Sequence, residues 1–232
     1  MKSSLFFKSN FPFAPSRVPF FYGWVILIFT TLGTVASIPG QTMGVGVFTD
    51  YLIHNTSLDR MQISVSYMLG TILSSILILI SGSLVDRFGT RVMTTLAGIG
   101  LGVSLILFSQ SLVLISYLES ILPEYSSSLI SILVMTLIFL CLRQFGQGLL
   151  AMVSRITLAK WFDRRRGLVS GISGIFVAFG FSGAPLFMNQ IIGEYGYSKS
   201  IIIMSTIFGF GMAILGWLFY RDNPEECGLL MD

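Results

Sequence analysis

Charge is scarce in this chain: Asp, Glu, Lys and Arg make up 11% of its 232 residues, against about 25% in an ordinary soluble domain. The scarcity excludes a water-facing globular surface, because 53% of the residues are hydrophobic and the mean hydropathy is +0.82. A chain of this length cannot hide so much apolar surface from water, so lipid must be the solvent for much of it. Histidine is limited to His54, in an expected loop, and cysteine to Cys141 in an expected helix and Cys227 near the C-terminus. Neither a metal-binding set nor a disulfide framework can be built from these. With no nucleophile–base pair and no phosphate loop, an enzyme is not expected, nor is any cofactor. The net charge of +3 could suggest nucleic acid, but in an apolar chain it points to basic loops beside a membrane, and no nucleic-acid partner is expected.

What the sequence does contain is long apolar runs, at 21–46, 62–85, 92–117, 129–153, 167–192 and 200–220. Each is long enough to cross a bilayer as a helix, which takes roughly 20 residues. The expected fold class is therefore an all-α membrane protein with six transmembrane helices over residues 21–220. Residues 1–20 form an N-terminal tail, and 221–232 a second tail or the start of a central loop. Lys2, Lys8 and Arg17 precede the first run, which is longer than a signal-peptide core and continues into a polar-faced helix. It reads as a first span rather than a cleaved leader.

Orientation follows from the basic residues. With the N-terminus inside, 11 of the 14 Lys and Arg lie in inner segments, two (Arg60 and Lys199) in outer loops, and Arg143 within a span. On short loops this is a positive-inside pattern, which places both termini in the cytoplasm and the chain in the cell membrane.

The spans carry polar stripes. Thr30, Thr34, Ser37 and Gln41 share a face of the first run, as do Ser64, Tyr67, Thr71 and Ser74 on the second; Arg143 and Gln147 lie one turn apart on the fourth. Such stripes either bond neighbouring helices or line a water-filled cavity. Gln41, beside Pro39 and Gly40, marks a place where the helix is loosened and backbone carbonyls need new partners. Many of the 24 glycines also fall inside spans, among them Gly98, Gly100, Gly102, Gly167, Gly171, Gly174, Gly180, Gly183, Gly209 and Gly211, where close helix packing is the expected use.

The sharpest signal is Gly82-Ser-Leu84-Val-Asp86-Arg87-Phe-Gly89-Thr-Arg91, in the short segment between the second and third runs. Here Asp86 is expected to sit within reach of arginines at the start of the loop, and Gly89 to permit a tight turn. The stretch closely resembles the G-x-L-x-D-R-x-G-x-R signature of the major facilitator superfamily, in the expected topological slot. Arg143-Gln-Phe-Gly146-Gln147-Gly148 and Trp161-Phe162-Asp-Arg-Arg-Arg166-Gly167 resemble the family's fourth helix and the loop that follows it. Gly171, Gly180 and Pro185 match part of the antiporter pattern of the fifth helix, but Ala184 and Met188-Asn189 depart from it. Phe21-Tyr22-Gly23-Trp24 and Asn223-Pro224-Glu225-Glu226-Cys-Gly228-Leu229 are similar to oxalate/formate-antiporter-like and monocarboxylate-transporter-like members.

The resemblance implies the N-terminal half of a transporter that holds a small-molecule substrate between two six-helix halves. The second half would come from a split or truncated gene product's other part, from another six-helix unit, or from a homodimer. Gly82, Asp86, Arg87, Gly89 and Arg91 are then a gating motif. An arginine in a span normally faces the bundle interior with a partner. Arg143 either receives an anionic substrate, assisted by Gln147, Gln41 and Thr34, or is structural and bonded to Gln147, helix carbonyls or water. No acidic residue falls in an expected span, so any proton site lies in another half or at Asp50 or His54 near the outer mouth. The leading expectation is secondary transport of a small anionic organic solute by alternating access. A proton-coupled drug antiporter and a non-transporting fragment or regulatory subunit are the rivals.

Overall fold

The computed structural model describes residues 11–55 and 58–232; Lys2 and Lys8 of the expected N-terminal tail lie outside the described residues. The helices are α1 (Gly23–Ala36), α2 (Thr42–Asn55), α3 (Arg60–Phe88), α4 (Thr90–Ser109), α5 (Ser111–Ile121), α6 (Ser127–Leu142), α7 (Ala151–Trp161), α8 (Arg166–Tyr195), α9 (Tyr197–Met204) and α10 (Met212–Phe219). They compose six spans long and apolar enough to cross a membrane: Gly23–His54, Arg60–Phe88, Thr90–Ser109, Ser127–Trp161, Arg166–Tyr195 and Tyr197–Phe219.

Local chemistry sets the breaks. The first span bends at a 3₁₀ turn over Ile38–Gly40 and resumes as α2, so it runs further than the apolar run ending at 46. Pro39 cannot donate to the helix ladder, and Ser37 repairs part of the damage by giving its hydroxyl to Thr34 O at 2.6 Å. His54, expected in a loop, lies instead in the last turn of α2. The third run was expected to reach 117; the helix stops at Ser109, and the polar Gln110 separates it from α5, which at 11 residues is too short to cross. A capping box at Asp59 and Gln62 starts α3: each side chain accepts the other's backbone N–H, at 2.7 and 3.0 Å.

Burial is uneven. The first, third and fourth spans have 67%, 50% and 50% of their most apolar windows buried, whereas the second has 22% and the fifth 11%. Ala97, Leu101, Leu105 and Phe108 are fully buried and put the third span at the centre of the core. Two crossings bring backbones together. A Cβ on Gly98 would sit 2.6 Å from Ala213 N, and one on Gly209 would collide with Gly102 Cα; nearby, Ser205 donates to Gly102 O at 2.7 Å. A Cβ on Gly146 would sit 2.9 Å from Gly40 Cα, so the broken first span crosses the fourth at glycine. The glycines of α8 behave differently from expectation: added Cβ atoms at Gly167, Gly171, Gly174 and Gly183 would meet nothing within 4 Å. They lie on an uncovered surface of the fifth span.

The described parts of the segments expected to be tails, 11–20 and 221–232, pack against the bundle. Phe13 stacks edgewise on Tyr22 at 6.1 Å, and the Arg221 guanidinium lies 5.0 Å from the Phe13 ring. Cys227 is buried with Tyr22, Trp161 and Phe162.

Candidate functional site

Between α6 and α7 the fourth span loosens into a π-helical stretch, Arg143–Leu150, midway along the membrane crossing. Wide turns of this kind recur at functional sites because they redirect side chains that a regular helix would align differently. Arg143 and Gln147 project from this stretch into a cavity of about 440 Å³, together with Gln41 from the first span, Thr71, Ser74 and Ser75 from α3, Arg155 and Ile156 from α7, and Phe181 from α8. Its walls come from the first, second, fourth and fifth spans, and neither Asp nor Glu is among its lining residues.

Arg143 donates from Nη1 to Gln147 Oε1, and its guanidinium lies 5.3 Å from the centre of the Tyr67 ring. Tyr67 is held in turn by a 2.8 Å hydrogen bond between its hydroxyl and that of Thr42, and by Phe139 packed edge-on at 5.5 Å. The cation is thus oriented by an amide and a π face, neither of which neutralises it. Gln41 donates to Ser37 Oγ at 3.0 Å, which ties the mouth of the cavity to the break in the first span. Gln144 points the other way: it accepts from Ser74 at 3.0 Å and donates to Ser81 at 2.7 Å, fastening the π stretch to α3.

Thr34 is not part of this arrangement. It is 5% exposed, gives its hydroxyl to Thr30 O at 3.0 Å, and lines a separate cavity of about 320 Å³ beside α8. Thr34 shares a helical phase with Gln41, but the Pro39–Gly40 break turns Gln41 away from the axis that Thr34 follows.

The segment 82–91 divides into an outward and an inward set. Gly82 has open space where a Cβ would stand, and Asp86 and Arg87 are exposed, with Arg87 over the Phe88 ring at 5.4 Å. Among the described residues Asp86 makes no ion pair, contrary to the expected arginine contact; the ion pair between Arg60 and Asp50 at 2.5 Å lies elsewhere. Gly89 adopts φ +82°, a conformation that glycine takes without strain, and closes the turn into α4. Arg91 is 4% exposed and donates to Trp217 O and Phe11 O, each at 2.7 Å, with its guanidinium 4.5 Å from the Trp217 ring. The first turn of α4 is capped by Asp222, which accepts from Thr90 Oγ1 at 2.9 Å and Arg91 N at 3.0 Å.

The family model of the Major Facilitator Superfamily matches residues 30–227. The chain belongs to that superfamily. No curated protein sequence matches it. Members of the superfamily are transporters and not enzymes, so the cavity belongs to a membrane-transport protein, and the six spans are one half of the superfamily's fold. Sequence reasoning had missed two residues here. Gln144 sits next to Arg143 and carries the signal of a polar side chain inside a span. Arg155 had been counted among the basic residues of a cytoplasmic loop, yet it stands on α7 within the fourth span and lines the cavity. The fourth apolar run ends at 153, two residues short of it, so no sequence signal placed it inside the span.

Proposed function

We propose that this six-helix unit is half of a secondary transporter that moves a small anionic organic solute, of monocarboxylate or dicarboxylate type, by alternating access. The observation that carries this reading is the mid-span cavity walled by Arg143 without a carboxylate beside it. A half-buried guanidinium that lacks a counter-charge is stabilised by an incoming carboxylate, and its planar fork suits bidentate contact. Gln147 orients the guanidinium, and Gln41 offers an amide on the facing wall. The absence of Asp and Glu from the lining argues against a drug-cation antiporter, which would need one there.

The same reading gives the unit a partner. The second and fifth spans, least buried of the six, both line the cavity, and a second six-helix half or a second copy would cover their exposed faces. The bias of basic residues supports a cell-membrane protein with both termini cytoplasmic.

The test is uptake of labelled oxalate, formate and lactate into proteoliposomes holding the chain with a complementary half, or as a dimer. Arg143→Ala and Arg143→Lys should both lower uptake by on the order of tenfold or more, at unchanged membrane levels, because an ammonium cannot reproduce the fork. Normal uptake by Arg143→Ala would remove this residue from the site. Failure of every assembly to move any anion would leave a non-transporting subunit as the reading.

A further inference from the structure

The central cavity shares one lining residue with the 320 Å³ cavity beside α8, and that residue is Arg155. Arg155 lies 12 residues beyond Arg143 in the same span and six before its end at Trp161. At 1.5 Å per residue the two arginines are about 18 Å apart along the axis. Two spans separate the end of α3 from the end of α7, so Arg155 marks the side of the membrane on which Asp86 and Arg87 are exposed.

The other arginine in the second cavity, Arg166, is committed: it donates to Phe162 O at 3.2 Å and to Ala159 O at 3.0 Å. Arg155 is exposed and, among the described residues, has neither a hydrogen bond nor an ion pair. No Asp or Glu lines either cavity. An arginine that merely snorkels would reach past its helix end towards the headgroups. This one lies nearly two turns inside the span and lines both cavities. A low-dielectric cleft with cations and no counter-charge concentrates anions along its length.

We propose that Arg155 is a second anion-binding position, through which a carboxylate passes between the Asp86 face of the membrane and Arg143. This deepens the anion-transport reading and rests on it. The Asp86 face then has its own charged subsite, and substrate loading from that face is more sensitive to ionic strength than loading from the other.

The experiment uses the transporting assembly in proteoliposomes, with labelled oxalate supplied from either face. Arg155→Gln should raise the half-saturating concentration about fivefold from the Asp86 face and less than about twofold from the opposite face, with Arg155→Lys restoring most of the loss. A structural role would shift both faces together or lower the amount of protein, and either result overturns the proposal, as does an unchanged Arg155→Gln. A wild-type assembly that moves no anion overturns the parent reading and takes this one with it. A second measurement needs no transport. Phenylglyoxal should modify Arg155 in the wild-type chain in nanodiscs, and oxalate should slow that reaction, more than chloride does at equal ionic strength. Equal protection by both salts would overturn the subsite.

Discussion

The carboxylate of Asp222, three residues past the sixth span, accepts the backbone N–H of Arg91 at 3.0 Å and so serves as the missing cap of α4. The residue in the usual N-cap position is Gly89, which has no side chain to offer. Replacing Asp222 with Ala should lower stability by about 1 kcal/mol, the usual cost of a lost cap. Gly89→Ala should cost more, since its Cβ would strike the Asp222 carboxylate and force a positive φ on alanine. Thermal unfolding of the purified chain in detergent would show both losses, and the double variant should lose less than their sum because they share one contact.

Asp86 should respond in the opposite way. It is exposed and unpaired among the described residues, so Asp86→Asn should leave folding and membrane levels intact. Any loss then appears in transport by the assembled protein, through contact with the other half. Full activity of Asp86→Asn in a competent assembly would remove the gating role from the outward set of the signature.

The crossing of Gly40 and Gly146 predicts a steep steric cost. Gly146→Ala would place its Cβ 2.9 Å from Gly40 Cα, with backbone on both sides. A destabilisation of about 1–3 kcal/mol is expected, typical of overpacking. Gly171→Ala, in open space on the fifth span, should be neutral for the isolated chain by the same melting measurement. If Gly171→Ala nonetheless impairs transport, the fifth-span surface is a contact in the assembly.

Cys227 supplies a pH dependence. Burial pushes its thiol from 9.0 up to about 11. The unfolded chain therefore releases this proton before the folded one does, and stability is fully present below pH 9.0 and declines as the pH rises towards about 11. Melting curves between those limits should show a decline that is smaller in Cys227→Ala. Tyr22, raised by burial to about 12, adds its own decline at higher pH.

Reporter fusions test the orientation. Residue 124, between α5 and α6, and residue 232 should report opposite sides of the membrane, with 232 inside. The same side for both would contradict an odd number of crossings between them.

The six spans were legible because hydropathy depends on composition over 20 residues, which neighbours hardly alter. Their ends were less so: the break at Pro39–Gly40 and the stop at Gln110 are decided by single residues inside otherwise apolar runs. The site was legible where a charge stood in lipid, as with Arg143, and illegible where assignment depended on knowing a boundary. Arg155 was placed in a loop because the fourth apolar run ends at 153, although the helix continues to Trp161. Thr34 shares a helical phase with Gln41, and only the bend between them assigns the two to different cavities. Asp222 could not have been found, because its partner lies 131 residues earlier in the chain.

The wide stretch at Arg143–Leu150 has a consequence for phase. On a regular helix, positions 12 residues apart are rotated by about 120°, so Arg143 and Arg155 would look in different directions. One residue absorbed by a π turn makes the separation equivalent to 11, about three full turns, and brings the two to within about 20° of a common line. The distortion therefore works as a vernier: it re-indexes the inner half of the span against the outer half without changing any side chain. Deleting one residue from the stretch would restore the regular winding with the two arginines 11 positions apart and still in phase, whereas forcing a regular helix at the present length would turn one of them out of the cavity.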